Sequence, residues 1–106
     1  MDVLILRANM VREWRRWVPK VANVVKSILP SAEIYVVGSV VREEAIGSSD
    51  VDMVIVLSRK LSPREEAELK ALIERKANLP LYHPLEIHFT TAEEAAKFLK
   101  DRYVKL

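Results

Sequence analysis

Two aspartates, one residue apart, open a strongly apolar stretch in the middle of the chain. Asp50 and Asp52 flank one valine in the run DVDMVIVL. On a β-strand, residues i and i+2 point to the same side and lie roughly 6.5–7 Å apart, so both carboxylates are expected on one face. Neighbouring carboxylates repel unless a cation compensates them, and Mg²⁺ uses such oxygens together with substrate phosphates. The pair therefore indicates a metal site; a polar strand start with Asp50 capping a turn is the alternative.

A Gly-Ser pair precedes the aspartates and follows another apolar stretch. Gly38 and Ser39 come directly after YVV, and ten residues separate Ser39 from Asp50. Glycine lets the backbone approach a ligand closely, serine adds a hydroxyl, and free amides at such a turn bind phosphate oxygens. Together with the aspartates, the turn predicts a site for a metal and a nucleotide.

This pattern resembles the signature of the minimal nucleotidyltransferases, a branch of the DNA polymerase β superfamily, and the resemblance extends over nearly the whole chain. Four residues match the signature of the family: Gly38, Ser39, Asp50 and Asp52. Ser49 stands where the family commonly has a serine, and Arg42 where it often has a basic residue. Glu43 stands where the family often has a glycine, so the local turn is expected to differ.

The resemblance also implies a third carboxylate on a later strand, for which Glu86 in LEIHF is the candidate. An acidic residue alternating with apolar ones also fits a plain solvent-facing position. His88 shares the face of Glu86 and is a candidate contact for phosphate or metal. The resemblance implies catalytic metal ligands at Asp50, Asp52 and Glu86, and nucleotide contacts at Gly38, Ser39, Arg42 and Ser49.

Composition favours one globular domain over residues 1–106. Half of the residues are apolar, 30% are charged, the net charge is +2, and cysteine is absent. Such a small net charge does not by itself indicate nucleic-acid binding, and without cysteine neither disulfides nor thiolate metal sites can form. No apolar run reaches the 18 residues of a membrane span. We expect a cytoplasmic protein that does not associate with membranes.

Periodicity and capping signals place the elements that position these residues. Their order fits an α/β (α+β) protein with a mixed sheet of three or more strands flanked by helices, and the resemblance implies that this sheet is that of the nucleotidyltransferase fold. An amphipathic stripe over residues 11–28 predicts either one helix kinked at Pro19 or a short helix followed by a second one that starts at Pro19. The other expected elements are strands at residues 33–37, 51–57 (covered on both faces) and 85–89, and helices at residues 40–46, after Ser62, and at 91–100.

The resemblance implies a Mg²⁺-dependent enzyme, with two ions and with Mn²⁺ as an alternative, that transfers AMP from ATP, or a nucleotide from another triphosphate, to a protein or RNA hydroxyl. Minimal members often pair with a helical HEPN-type protein, in some cases as the antitoxin to a toxin, so we expect such a partner or a homodimer. A subunit that acts by binding, with a vestigial nucleotide site, is the main alternative. A metal-dependent phosphodiester hydrolase is a third hypothesis.

Overall fold

The computed structural model describes residues 2–106 as helices packed around a mixed sheet. This architecture confirms the predicted fold class. The elements, in chain order, are α1 (Val3–Arg12), α2 (Trp14–Ile28), β1 (Glu33–Val37), β2 (Val51–Leu57), α3 (Pro63–Lys76), β3 (Leu85–Thr91), a 3₁₀ turn (Ala95–Lys97) and β4 (Val104–Lys105).

The four strands lie in the order β3-β2-β1-β4. β1 runs antiparallel to both of its neighbours, whereas β2 and β3 are parallel. A parallel pair needs a crossover connection, and α3 provides it between β2 and β3. The three predicted strands are confirmed, and β3 continues two residues beyond its predicted end. The two-residue strand β4 was not predicted, because so short a segment carries no periodic signal.

The central strand β2 is buried on both faces, as its continuous apolar sequence predicted. Met53 and Ile55 point into the main core, where they meet the apolar stripe of α2. Val54 and Val56 point to the opposite face and join a smaller cluster with Ala95. The sheet therefore has one face packed against helices and a second face with a thinner apolar covering.

The N-terminal helical region is interrupted at Glu13, and the alternative of a second helix that starts at Pro19 is wrong. Glu13 has φ −99° and ψ 22° and ends α1, while Pro19 lies inside α2. Proline in a helix removes the hydrogen bond to the carbonyl four residues earlier, here that of Arg15. Both residues lie on the exposed side of α2, where water can satisfy that carbonyl. The loss is therefore tolerated without breaking the helix.

The helix predicted after Ser62 is confirmed, together with its cap. The Ser62 hydroxyl accepts a hydrogen bond from the Glu65 amide at 3.1 Å, and the Glu65 carboxylate accepts one from the Ser62 amide at 3.0 Å. Pro63 occupies the first turn, where its missing N–H costs no helical bond. This reciprocal pair satisfies two donors that the start of a helix otherwise leaves free.

The helix predicted at residues 40–46 is wrong, since these residues form turns. The amides of Val41 and Arg42 both donate to the Gly38 carbonyl, at 3.1 and 3.2 Å. Glu43 then takes the left-handed conformation, with φ +61°, which an α-helix cannot include. Glu43, which stands where the family often has glycine, therefore adopts a backbone conformation that favours glycine.

The helix predicted at residues 91–100 is also wrong. β3 continues through Thr90 and Thr91, which pair with the last residues of β2. Only Ala95–Lys97 is helical, as one 3₁₀ turn. The capping-box pattern at Thr91 competes with strand pairing to β2, and the pairing prevails because it is part of a full-length parallel ladder.

Candidate metal and nucleotide site

The site is built where β1 ends and β2 begins, beside β3. Asp52 is the second residue of β2 and pairs with Val37, the last residue of β1. On the other side Asp52 pairs with Glu86, and Val54 pairs with His88. Because strand residues two apart share a face, this register places Asp52, Glu86 and His88 together on the face that the helices do not cover.

Ligand atoms of these three side chains lie close together. One atom from each of Asp52, Glu86 and His88 falls within 4.8 Å of the others. His88 Nε2 is 3.0 Å from Asp52 Oδ1 and 3.9 Å from Glu86 Oε1. The Asp52 and His88 side chains are about a quarter exposed and that of Glu86 is half exposed, so solutes can reach all three. Two carboxylates and an imidazole fit a divalent cation.

The hydrogen bond from His88 to Asp52 sets the electrostatics of the group. This hydrogen bond is the main cause of the raised pKa of His88. Burial of the ring lowers that pKa, and the negative charges of Asp52 and Glu86 raise it further. The Phe98 ring packs against the imidazole with its centroid 5.3 Å away. A protonated His88 therefore compensates carboxylate charge when no cation does so.

Gly38 brings the Gly-Ser turn directly against Asp52. Its φ of +85° is one that residues with a side chain rarely adopt. A Cβ added there would lie 2.5 Å from Asp52 Oδ2, far inside van der Waals contact. Only glycine lets the turn lie this close to the carboxylate. This contact explains in geometric terms why the Gly-Ser turn and Asp52 were predicted from the sequence to form one site.

The other residues predicted to contact a nucleotide lie in the turns that follow Gly38. The Ser39 carbonyl accepts the Glu44 amide at 2.9 Å, and Arg42 Nε donates to the Glu44 carboxylate at 3.3 Å. The Ser49 hydroxyl accepts a hydrogen bond from the Ile46 amide at 2.9 Å. These contacts order the loop between β1 and β2, and the roles of Ser39, Arg42 and Ser49 toward a nucleotide stay predictions.

Asp50 lies one residue before β2 and points its carboxylate to a different partner. Arg7 Nη2 on α1 donates to Asp50 Oδ1 at 2.7 Å, and Arg7 Nη1 donates to the Gly47 carbonyl at 3.5 Å. Within residues 2–106, Asp50 does not join the group formed by Asp52, Glu86 and His88. This contact was missed from sequence because 43 positions separate the partners and no local signal links them.

A hollow of about 450 Å³ lies elsewhere in the described part of the chain. Leu57, Leu61 and Leu69 line it at the far end of β2, together with charged residues of α3. None of the three clustered ligands lines it, so the cluster of Asp52, Glu86 and His88 is separate from this hollow.

Residues 18–105 match the nucleotidyltransferase domain family. The chain belongs to this family. The match confirms the resemblance seen in the sequence and makes nucleotidyl transfer its general chemistry, with a nucleoside triphosphate as substrate and usually a divalent metal. No curated protein and no solved structure compared with this nucleotidyltransferase matched it. All of α1, including Arg7, precedes the matched region.

None of the helices within residues 2–106 combines the length and the apolar character that crossing a bilayer requires.

Proposed function

We propose that this nucleotidyltransferase transfers AMP from ATP to a hydroxyl of a partner protein. The hydroxyl oxygen bonds to the α-phosphorus, the bond from that phosphorus to the oxygen of the β-phosphate breaks, and pyrophosphate and the hydroxyl proton are released. The observation that carries the proposal is the packing of the Gly38 turn against Asp52, with Glu86 beside it on the neighbouring strand. A phosphate-binding turn and carboxylate ligands then share one edge of the sheet. In-line transfer needs those two elements in contact, because the cation bridges the protein and the phosphates.

In this proposal Asp50, Asp52 and Glu86 hold the divalent ions, which are two Mg²⁺ ions, with Mn²⁺ able to replace them. The bound ions would neutralise charge on the triphosphate and polarise the reacting oxygens. Asp52 and Glu86 are direct cross-strand neighbours, so one ion can contact both. Glu86 is the more exposed of the two, and it would orient the acceptor hydroxyl. Asp50 would join after Arg7 releases its carboxylate.

The turns after β1 would hold the phosphates. The amides of Ser39 and Val40 would do so, because they directly follow Gly38, whose conformation turns the backbone toward Asp52. The amides of Val41, Arg42 and Glu44 already donate to carbonyls within the turns. Ser39 supplies a hydroxyl at the same turn, and Arg42 and Ser49 stand on the loop that continues to Asp50. A nucleotide held here would present its α-phosphorus to the open sheet face. The groups needed for positioning and charge stabilisation would then lie within this one domain over residues 1–106.

The acceptor in this proposal is a helical protein of the HEPN type in the cytoplasm, as in toxin–antitoxin pairs. The openness of the site supports a macromolecular acceptor, since Asp52, Glu86 and His88 remain accessible from solvent. A second copy of the chain and an RNA end are the other acceptors with suitable hydroxyls.

Incubation with ATP labelled at its α-phosphate, Mg²⁺ and the protein encoded next to it tests the proposal. We expect labelling of the partner by the wild type and at least about a 100-fold loss in Asp52→Asn, because removal of one preorganised charge contact costs on this scale. Asp101→Asn is the matched control: it removes an exposed carboxylate from the C-terminal segment. Labelling that persists in Asp52→Asn would refute the assigned site, and labelled RNA or self-labelling would reassign the acceptor.

The ion pair between Arg7 and Asp50 favours one competing function, that of a binding subunit. Arg7 takes an oxygen of a predicted metal ligand, as expected if the site were vestigial. Under this second hypothesis, the double substitution Asp50→Asn and Asp52→Asn would leave neutralisation of the partner unchanged. Under the first, the double variant loses neutralisation, and growth of cells that express the partner reports the difference.

A further inference from the structure

Within residues 2–106, His88 is the histidine that faces the carboxylates of Asp52 and Glu86. The chain has two histidines, and the other, His83, is bound by the Glu74 carboxylate while its Nδ1 accepts the Leu85 amide at 3.0 Å. His88 instead points Nε2 toward Asp52 and Glu86. Its position follows from the parallel register, in which His88 lies two residues beyond Glu86 on the same face.

The spacing of the donor atoms fits shared coordination. Adjacent ligands of an octahedral cation with bonds of 2.0–2.1 Å lie roughly 3 Å apart. Asp52 Oδ1 and His88 Nε2 are separated by 3.0 Å. Glu86 Oε1 is 3.9 Å from the same nitrogen, and its half-exposed side chain has room to move inward. The three donor atoms already lie within 4.8 Å of one another.

We propose that His88 Nε2 is a nitrogen ligand of the divalent cation held by Asp52 and Glu86, and that it gives this site a preference for Mn²⁺ over Mg²⁺. The proposal rests on the proposed function for the location of the cation. Mg²⁺ favours oxygen ligands and gives up its waters reluctantly, whereas ions later in the transition series gain more from imidazole. Mn²⁺ is the weakest binder of that series, but it still gains more from a nitrogen donor than Mg²⁺ does, so two carboxylates and one imidazole shift the preference toward Mn²⁺.

The surroundings of His88 hold the ring in this orientation. The imidazole is about a quarter exposed, and the Phe98 ring lies against it. Packing of this kind limits the rotation of the ring and keeps Nε2 on the side of the carboxylates. Such preorganisation makes a ligand more effective, because less conformational entropy is lost on binding.

Electron paramagnetic resonance of added Mn²⁺, with pulsed detection of coupled imidazole nitrogen, tests the proposal without any measurement of transfer. We expect nitrogen coupling in the wild type and in His83→Gln, and none in His88→Gln. Titration with Mn²⁺ should show about a 10-fold weaker affinity in His88→Gln, whereas Mg²⁺, measured by competition, should change by no more than about 2-fold.

A wild-type spectrum without nitrogen coupling, or an unchanged ratio of Mn²⁺ to Mg²⁺ affinity in His88→Gln, would overturn the proposal. If His88→Gln folds poorly, the His83→Gln variant, in which His88 is the remaining histidine, replaces it: labelling of histidine with ¹⁵N must change its nitrogen coupling to that of ¹⁵N. The two proposals fail separately. If nucleotide transfer depends on Asp52 but the Mn²⁺ spectrum shows no nitrogen coupling, only the role of His88 is refuted. If nitrogen coupling is present but no transfer occurs, only the proposed function is refuted.

Discussion

At the scale of single residues, Gly38 and Asp52 depend on each other. We expect Gly38→Ala to destabilise the fold by about 1–3 kcal/mol, because alanine at φ +85° is strained and its Cβ would lie 2.5 Å from Asp52 Oδ2. Asp52 would have to move, so Mn²⁺ affinity should fall as well. Urea denaturation and Mn²⁺ titration measure the two effects.

The other glycine of the chain provides the control for that substitution. A Cβ at Gly47 would meet the Ala8 side chain at 3.2 Å, a tight contact that a small shift relieves. Gly47→Ala should therefore cost less than Gly38→Ala and should leave Mn²⁺ binding unchanged. Equal losses of stability and affinity in both variants would contradict the specific contact between Gly38 and Asp52.

The sequence predicted the parts of the candidate site that local spacing defines. The Gly-Ser turn and Asp52 flank one loop, so their proximity follows from two paired strands. The prediction of Glu86 required in addition that its strand lie beside β2, and the structure shows that the two strands are paired. Arg7 was beyond reach, because its contact with Asp50 depends on how α1 docks against the loop. Long-range docking of that kind has no signature in a single sequence.

At the scale of elements, the start of α3 depends on an ionised Glu65. Hydrogen bonds from Arg59, the larger cause, and from the Ser62 amide lower the pKa of Glu65 to about 2. The folded-state pKa is thus below the ordinary value of 4.5, so this contribution to stability is complete above pH 4.5 and is lost as the pH falls through about 2. An NMR titration of the Glu65 carboxyl carbon should give that low midpoint.

Substitution of neighbouring glutamates isolates the charge of Glu65. Glu65→Gln should lower the thermal stability at neutral pH, because it loses the ion pair with Arg59, and should remove the acid dependence between pH 4.5 and about 2 that the Glu65 charge causes. Glu66→Gln keeps the hydrogen bonds of Glu65 and should retain that dependence. An ordinary titration midpoint for Glu65 would show that the hydrogen bonds from Arg59 and Ser62 do not form in solution.

Elements with local start and stop signals were predicted well, and those decided by partners were not. The α3 helix carries its own capping box, and β2 carries an unbroken apolar run. Thr91 also begins a capping-box pattern, yet it pairs with Leu57 as the last residue of β3. Residues 40–46 contain apolar positions spaced as in a helix, but the carbonyl of Gly38 binds their first amides in turns. In both cases tertiary pairing overrides local propensity.

At the scale of the whole molecule, the two faces of the sheet differ in how far they are buried. One face packs against the helices and holds most of the buried residues. The other bears a small cluster around Val54 and Val56 and, next to it, the exposed donor atoms of Asp52, Glu86 and His88. A site on the first face would be closed to substrates. The division therefore places stability and ligand access on opposite sides of the same strand, β2.

This division predicts the order of amide hydrogen exchange. β2 is paired on both sides and buried on both faces, so its amides should open only with global unfolding and exchange the slowest. The loop between β1 and β2 has few ladder bonds, so its amides should exchange at least about 100-fold faster, although it carries the predicted phosphate contacts.

Mn²⁺ with ATP should slow the amide exchange of the loop and leave that of β2 unchanged, because ligands stabilise the segments they order. Mass spectrometry of exchanged peptides measures both. Exchange in β2 as fast as in the loop would mean that the two faces do not share one stable strand.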